Sequence, residues 1–313
     1  MEAKFLAWLR RRLPTTNPPV EVGPGDDAAV VALGADTRLV ATTDMLSDGV
    51  DFRLGEVDPR RIGREALAVN LSDLAAMAAS PVGVLVSLLL PRHGGAALAR
   101  ELYEGLIPLA EEFSVPIIGG DTNSWDGPLA ISVTALGRAG VQGTWLRSRA
   151  HVGDAVVVTG SFGGSILAHQ FDFTPRIREA LVLAEQCRIH AAMDVSDGLT
   201  LDLSRLCAES GCGAELDLAA VPISLAAQEL TQLRPGAGSA LDHALCDGED
   251  FELLLTCDEA EAQKLLAAQP LMERFGVRLT QIGRIVAEPG LWSLAADGTR
   301  FPLEPRGFQH RLD

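Results

Sequence analysis

The chain has 313 residues, 47% of them hydrophobic and 22% charged, and its 42 acidic and 26 basic residues give a formal charge of −16. This length predicts two domains, and the composition is that of a globular α/β protein. The acidic balance argues against nucleic acid as a partner. The longest apolar run, 82–90, is far shorter than the roughly 20 residues that a membrane span needs. Five cysteines without a C-x-x-C pair fit reduced thiols, so we expect a cytoplasmic protein without a membrane segment.

The first half of the chain predicts a domain with a mixed or antiparallel sheet. Apolar residues at helical spacing over 5–13 indicate a peripheral helix. Two apolar runs, 28–33 and 39–43, are separated by turn residues and predict an antiparallel pair. Asp58 and Pro59 predict the start of a long helix. In chain order, the later elements of this domain are a helix over 58–79, a strand over 82–90, a helix over 96–113, and strands over 115–118 and 129–136.

The apolar pattern breaks over 140–153, and we place the domain boundary there, giving an N-terminal domain 1–145 and a C-terminal α/β domain 146–313. A glycine-rich segment, 160–165, follows the first strand of the second domain. It lacks the phosphate-loop lysine, so we interpret it as strand-to-helix packing rather than an anion site. The predicted elements are strands over 154–159, 191–193, 214–218, 251–256 and 277–285, and helices over 175–187, 199–210 and 259–268.

Aspartates recur next to glycine, serine or threonine beside apolar runs. Any one of them is more often a helix cap or turn residue, but their joint occurrence indicates a distributed magnesium site, because Mg²⁺ prefers carboxylate and hydroxyl oxygens. The groups are Gly25-Asp26-Asp27, Thr42-Thr43-Asp44, Leu71-Ser72-Asp73, Gly120-Asp121 and Asp194-Val195-Ser196-Asp197. This pattern predicts an enzyme that acts on phosphates.

Other residue types give weaker signals. The six histidines have no metal-binding spacing and are interpreted as surface or packing residues rather than zinc ligands. A serine hydrolase is unsupported, because the chain has no G-x-S-x-G. Arg147 lies at the proposed junction, where it could brace a triphosphate or be a solvated linker residue.

Seven motifs then carry a resemblance that covers nearly the whole chain. They are GPGDDAAVV (23–31), TTDMLSDGVDF (42–52), ALAVNLSDLAAMAASP (66–81), IIGGDTN (117–123), VTGSFGGS (158–165), MDVSDGL (193–199) and DGEDFELL (247–254). The set resembles the thiamine-monophosphate kinases, whose superfamily includes aminoimidazole ribonucleotide synthetase. The resemblance implies an N-terminal domain whose strands pair across a homodimer and a C-terminal α/β domain that closes on ATP.

The resemblance also implies roles for particular residues. The magnesium ligands would be Asp27, Thr42, Thr43, Asp44, Asp73, Asp121, Asp194 and Asp197. ATP would contact Gly120, Asp121, Arg147 and Ser196, and the catalytic residues would be Asp44, Asp121 and Arg147. Thiamine monophosphate would contact Asp51, Glu249 and Phe308. The chain departs from the family at Asp51, where histidine is common, and at Phe308, where an aromatic hydroxyl or an indole is common. Asp247 stands where glycine is more usual.

The implied reaction is direct in-line transfer of the ATP γ-phosphoryl group to thiamine monophosphate, assisted by several magnesium ions. One alternative is an ATP-dependent ligase similar to aminoimidazole ribonucleotide synthetase. Another is a nucleotide- or metal-binding regulator without catalysis. Selenophosphate synthetase is disfavoured, because its reactive cysteine or selenocysteine lies near the N-terminus and the first cysteine here is Cys187.

Overall fold

The computed structural model describes residues 7–9, 11, 18–167, 169–295 and 297–310. Its first sheet has the strand order β1-β2-β3-β6-β4-β5, in which only the β4–β5 pair is parallel. The strands are β1 (Val20–Val22), β2 (Ala29–Ala32), β3 (Arg38–Ser47), β4 (Ala79–Pro91), β5 (Ile117–Trp125) and β6 (Ala130–Ala139). The mixed sheet expected for the first half of the chain is therefore confirmed.

Two helices cover one side of this sheet, α1 (Pro59–Ala76) and α2 (Gly95–Glu112). The Asp58 carboxylate caps α1 by accepting the Arg60 N–H at 2.9 Å. The two helices approach closely, because a Cβ at Gly63 would lie 1.9 Å from the Leu102 carbonyl oxygen. Since α1 packs against the first sheet, against α2 and against strands of the second half of the chain, most of its residues are buried. The polar residues on α1 must therefore find partners inside the protein.

The second sheet has the strand order β13-β12-β9-β11-β7-β10-β8, in which only the β12–β9 pair is parallel. Its strands are β7 (Ala155–Thr159), β8 (Ala191–Asp194), β9 (Gly213–Leu216), β10 (Leu253–Cys257), β11 (Leu279–Val286), β12 (Gly290–Leu294) and β13 (Arg300–Leu303). The helices of this half are α3 (His169–Asp172), α4 (Ile177–Gln186), α5 (Leu199–Ser210), α6 (Leu225–Leu233), α7 (Ala240–Cys246), α8 (Glu259–Ala268) and α9 (Met272–Phe275).

The two halves share a hydrophobic core. Val157, Leu253 and Leu255 on one face of the second sheet belong to the same buried cluster as the residues of α1. The opposite face, with Val158 and Leu254, packs in a second cluster that includes residues of α5. Because β7 and β10 are buried on both faces, their sequences are almost entirely apolar. The shared core fixes α1 against the second sheet.

Some predicted elements differ from the structure. Gly119-Gly120-Asp121 lies inside β5 rather than between two strands, because the pairing with β4 continues to Trp125. The long helix ends at Ala76, and β4 already begins at Ala79 after a left-handed residue, Ala78 (φ 49°). Elements that were not predicted are β1, β12, β13, α3, α6, α7 and α9.

The N-terminal helix is described only in part. Residues 7–9 and 11 are helical, and the rest of the predicted helix over 5–13 lies outside the described residues. Among the helices of the described residues, none combines the length and the apolar composition that a membrane crossing requires.

Candidate active site

Three aspartates from distant parts of the chain meet between the two halves. Asp27 precedes β2, Asp73 lies on α1 and Asp194 ends β8. They offer carboxylate oxygens that all lie within 4.8 Å of one another. We call these three residues the aspartate cluster. Burial, followed by the charges of neighbouring aspartates, raises the pKa of both Asp73 and Asp194 well above its ordinary value. A divalent cation would relieve this repulsion, so the cluster is a candidate metal site.

Polar residues on α1 and β3 orient these carboxylates. The Thr42 hydroxyl donates to Asp73, and the Ser72 hydroxyl donates to Asp194 Oδ2 at 2.5 Å. Asn70 Oδ1 accepts the Asp44 N–H at 3.1 Å. Burial is the main cause of a raised pKa at Asp44 as well. Residues of α1 therefore hold the main chain of β3 at Asp44 and the Asp194 carboxylate of β8 in place.

Arg147 forms the cationic side of the site. Its Nε donates to Asp27 Oδ2 at 3.0 Å, and its terminal NH2 group donates to the other oxygen of the same carboxylate. The Arg147 main-chain N–H is 3.1 and 3.2 Å from the two carboxylate oxygens of Asp26. Burial and the charge of Asp27 raise the pKa of Asp26 to about 7. Asp26, which is not among the predicted site residues, thus holds the main chain of Arg147 in place.

These residues line a cleft of about 510 Å³. The predicted site residues found there are Asp27, Thr42, Thr43, Asp44, Asp73, Arg147, Asp194, Ser196 and Asp197. Arg205 also lines the cleft and was not predicted; it contacts Asp197, and its NH1 lies 2.8 Å from Asp202 Oδ1. The sequence signal that could have identified Arg205 is its i,i+3 spacing from Asp202, which predicts an ion pair on α5.

A second pocket of about 370 Å³ contains all three predicted substrate residues, Asp51, Glu249 and Phe308. Ser196 and Asp197 line both cavities. We call Ser196 and Asp197 the shared segment. Main-chain hydrogen bonds connect the second pocket to it: the Glu249 N–H donates to the Ser196 carbonyl at 2.6 Å, and the Phe308 N–H donates to the Asp197 carbonyl at 2.9 Å. The two cavities therefore meet at Ser196 and Asp197.

The second pocket is acidic. Burial and the charges of Asp51 and Asp197 raise the pKa of Glu249 to about 7. Nearby, burial and the charges of Glu249 and Asp51 raise the pKa of Glu65 to about 9, and Glu65 Oε2 has no hydrogen-bond partner among the described residues. Glu65 was not predicted, although it lies two turns before Asp73 on the same buried face of α1. A cationic ligand would offset the repulsion between these carboxyl groups, so the pocket suits a cation.

The structure leaves Gly120 and Asp121 away from the cleft. Asp121 is exposed on the edge strand β5. It pairs with Ser87 on β4, Ser87 pairs with Ser132 on β6, and Ser132 pairs with Met45 on β3. Two strands, β4 and β6, therefore separate Asp121 from β3. The Thr43 side chain lies on the same face of the sheet as Asp121, and its hydroxyl is 3.0 Å from Thr134 Oγ1. Thr42 and Asp44 lie on the opposite face, because side chains alternate along a strand.

The glycine-rich segment after β7 serves packing, as predicted. The Gly163 N–H donates to Asp250 Oδ1 at 2.7 Å, and the Gly164 N–H donates to Asp247 Oδ2 at 3.1 Å. The Ser165 hydroxyl donates to the Gly248 carbonyl at 2.5 Å. These carboxylates occupy the amides that an external anion would need, and they fix the loop that carries Glu249.

Comparisons with known proteins agree on one family. Residues 25–139 match the model of the AIR synthase related protein, N-terminal domain, and residues 151–292 match that of the C-terminal domain. The chain is 43% identical to thiamine-monophosphate kinase of Rhodopirellula baltica, covering 99% of this chain and 97% of the relative. It is 33% identical to thiamine-monophosphate kinase of Escherichia coli K12, covering 99% and 98%.

Solved structures give the same result. The complex named AaThiL with AMPPCP and TMP matches with a TM-score of 0.80 and 26% identity, over 99% of this chain and 97% of that one. Thiamine-monophosphate kinase of Stenotrophomonas maltophilia matches with a TM-score of 0.73 and 34% identity, over 95% of each chain. The chain therefore belongs to the thiamine-monophosphate kinase family.

Proposed function

We propose that this chain transfers the γ-phosphoryl group of ATP to thiamine monophosphate, yielding thiamine diphosphate and ADP. The observation that carries the proposal is the meeting of two cavities at Ser196 and Asp197. One cavity has the oxygen ligands of a magnesium nucleotide site, and the other has acidic groups suited to a thiazolium cation. Relatives named thiamine-monophosphate kinase that match nearly the whole chain favour this kinase over a ligase or a regulator.

The residues of the first cavity fit magnesium. Burial and the charges of neighbouring aspartates raise the pKa values of Asp73 and Asp194, which a bound cation would offset, and all donor atoms of the aspartate cluster are oxygens. The residues that would hold several ions are Asp27, Thr42, Thr43, Asp44, Asp73, Asp121, Asp194 and Asp197. Bound magnesium supplies charge neutralisation, which lets the phosphates of two anionic substrates approach each other.

The chain's own residues align the reactants. Arg147 faces the cleft beside Asp27, where its guanidinium can pair with ATP phosphates, and Ser196 lines the same cleft. Gly120 lies outside this cleft, so its contact with ATP would come, like that of Asp121, from a second copy of the chain. Asp51, Glu249 and Phe308 hold the thiamine moiety so that its phosphate reaches the shared segment. In this assignment, 1–145 is the ATP- and magnesium-binding domain, and 146–313 closes over it.

The reaction then needs no strong base. A phosphate monoester is largely ionised near neutral pH, so its oxygen attacks the γ-phosphorus directly. The new P–O bond forms as the bond between the γ-phosphorus and the β,γ-bridging oxygen breaks, and ADP leaves with that oxygen. Asp44, Asp121 and Arg147 hold the charges in line, and no phosphoryl-enzyme forms.

The position of Asp121 supports a homodimer. Asp121 and Asp44 are three strand spacings apart, about 14 Å at the usual spacing, and they face opposite sides of the sheet, so one protomer cannot place both on one ion. The face that carries Asp121 exposes Met45 and Leu85. A second copy packed on this face would bring its own Asp121 towards the Thr43 and Asp44 strand of the first.

Mixing inactive variants tests this dimer. We expect Asp44→Asn and Asp121→Asn each to abolish turnover without unfolding the protein. If Asp121 acts on the partner's site, random mixing of the two variants restores about a quarter of wild-type activity, because half of the dimers are mixed and each has one intact site. No recovery after subunit exchange would show that Asp121 acts within its own protomer. Near-normal turnover of both single variants would remove them from the catalytic site.

The substrate is tested by an ADP-release assay with thiamine monophosphate, thiamine and formylglycinamidine ribonucleotide in the presence of Mg²⁺. We expect ADP only with thiamine monophosphate. ADP with the ribonucleotide would support the ligase instead, and ADP with none of the three would support a binding protein. Asp36→Asn, a change at an exposed turn, is the matched control and should keep wild-type activity.

A further inference from the structure

Two histidines and a buried aspartate converge outside the site described above. His151 and Asp154 lie just before β7, and His190 lies just before β8. Nδ1 of His190 is 3.1 Å from Nδ1 of His151 and 2.9 Å from each carboxylate oxygen of Asp154. We call these three residues the His-Asp-His cluster. Sequence spacing could not reveal it, because the two histidines are 39 residues apart.

Hydrogen bonding alone satisfies this cluster poorly. Nδ1 of His190 carries at most one proton, yet it contacts both the carboxylate of Asp154 and Nδ1 of His151. If this proton is donated to Asp154, it cannot also form a hydrogen bond with Nδ1 of His151. If Nδ1 of His190 is unprotonated, its lone pair faces the Asp154 carboxylate, whose Oδ2 accepts the main-chain N–H of His151 at 2.8 Å. A cation between the three groups would accept one lone pair from each of them.

The geometry and ligand types fit a transition metal. Ligand atoms bound tetrahedrally to zinc at 2.0–2.1 Å lie about 3.3 Å apart, so a small outward movement from 2.9–3.1 Å makes room for the ion. Imidazole nitrogens favour zinc, nickel or copper over magnesium. His151 is exposed, which leaves an entry path and a position for water. Asp258 Oδ2 lies 3.7 Å from His190 Nε2, on the side where an outer carboxylate orients a metal-bound histidine.

The cluster is separate from the active site. His190 precedes β8, whereas Asp194 ends it, so four residues of extended strand, about 13 Å, separate the two. His151 and Asp154 belong to the segment between the two sheets, which also carries Arg147. An ion at this position would attach that segment to β8.

We propose that His151, Asp154 and His190 bind one divalent transition-metal ion of the zinc class, and that this ion fastens the segment between the two sheets to the second sheet. This site is independent of the phosphoryl-transfer proposal. Its role is structural, since no reacting group of the first site lies near it.

The test uses the full-length protein after removal of metals with EDTA, with excess Mg²⁺ added to fill the aspartate cluster. Zn²⁺ is measured by equilibrium dialysis, and Co²⁺ is used as an absorbing probe. We expect one equivalent of Zn²⁺, Co²⁺ d–d bands without the intense charge-transfer band of a thiolate ligand, and a rise in Tm of about 5 °C at 100-fold excess over Kd.

The decisive variant is His151→Ala, because this side chain is exposed and we expect its removal to leave the fold intact. It should weaken Zn²⁺ binding at least about 100-fold and abolish the Tm shift. The control His93→Ala, also at an exposed histidine, should bind as wild type. The proposal is overturned if His151→Ala binds Zn²⁺ like wild type, if no equivalent binds, or if the Co²⁺ spectrum shows thiolate ligands.

Discussion

Removal of one charge from the aspartate cluster should stabilise the protein without metal and destabilise its magnesium form. The substitution is Asp73→Asn, which keeps the shape of the side chain and an oxygen that can accept the Thr42 hydroxyl. Asp73 shares the cluster with Asp27 and Asp194, with ligand atoms within 4.8 Å. The change therefore removes repulsion while it leaves the local hydrogen bond possible.

The magnitude follows from the geometry. Two full charges at 4.8 Å repel by roughly 3.5 kcal/mol at an effective dielectric constant of 20, and Asp73 has two such neighbours. Because the carboxyl avoids part of this cost by binding a proton, we expect a net gain of about 2 kcal/mol for Asp73→Asn at pH 8 in EDTA. The pKa of Asp73 is higher in the folded state than in the unfolded state. The wild-type protein therefore keeps its full free energy of unfolding below the unfolded pKa and loses part of it as pH rises towards the folded pKa. The difference between variant and wild type should therefore vanish near pH 3 and grow with pH.

The assay is urea unfolding followed by circular dichroism, in EDTA and in saturating Mg²⁺, with Asp36→Asn as the control. Magnesium should raise the free energy of unfolding of the wild type and the control, and it should raise that of Asp73→Asn much less. A variant that is less stable than the wild type in EDTA at pH 8, or that keeps the full response to magnesium, would refute the electrostatic explanation.

Three further predictions concern other parts of the site. Arg147→Lys should lower kcat/KM for ATP at least about 100-fold, because lysine cannot replace the bidentate guanidinium; an unchanged value would remove Arg147 from ATP binding. The KM for thiamine monophosphate should fall as pH rises through about 7, where Glu249 ionises, and Glu249→Gln should raise this KM and lose the pH dependence while the KM for ATP stays constant. Gly163→Ala should lower Tm by more than about 5 °C, since its Cβ would lie 2.5 Å from the Ala244 nitrogen at a φ of +89°, whereas Gly34→Ala meets no atom within 4 Å and should leave Tm nearly unchanged.

The sequence was informative where local chemistry and position coincide. Asp58 and Pro59 predicted the start of α1, and apolar runs predicted the central strands of both sheets. The aspartate groups predicted phosphate chemistry, since carboxylates beside small or hydroxyl residues form a recognisable local pattern. The family resemblance carried by the motifs predicted the substrate residues Asp51, Glu249 and Phe308, and the fold places all three in one pocket.

Boundaries and short elements were less predictable, because pairing decides them. β5 continues through Gly119-Gly120-Asp121, whose glycines indicate a turn when read locally, since β4 offers a parallel partner along its whole length. The edge strand β13 and its neighbour β12 are short, and they are held by the pairing of β12 with β9 and of β13 with β12.

By itself, the sequence determined the chemical inventory of this protein: the acidic motifs, the alternation of strands and helices, and the family. The tertiary structure alone decided which of these residues meet. It joined Arg147 to Asp27, brought Glu65 near Glu249 and Asp51, placed β4 and β6 between Asp121 and β3, and assembled the His-Asp-His cluster. The physical reason is that these contacts join residues far apart in sequence, and only the packing of α1 between the two sheets determines their distances and charges.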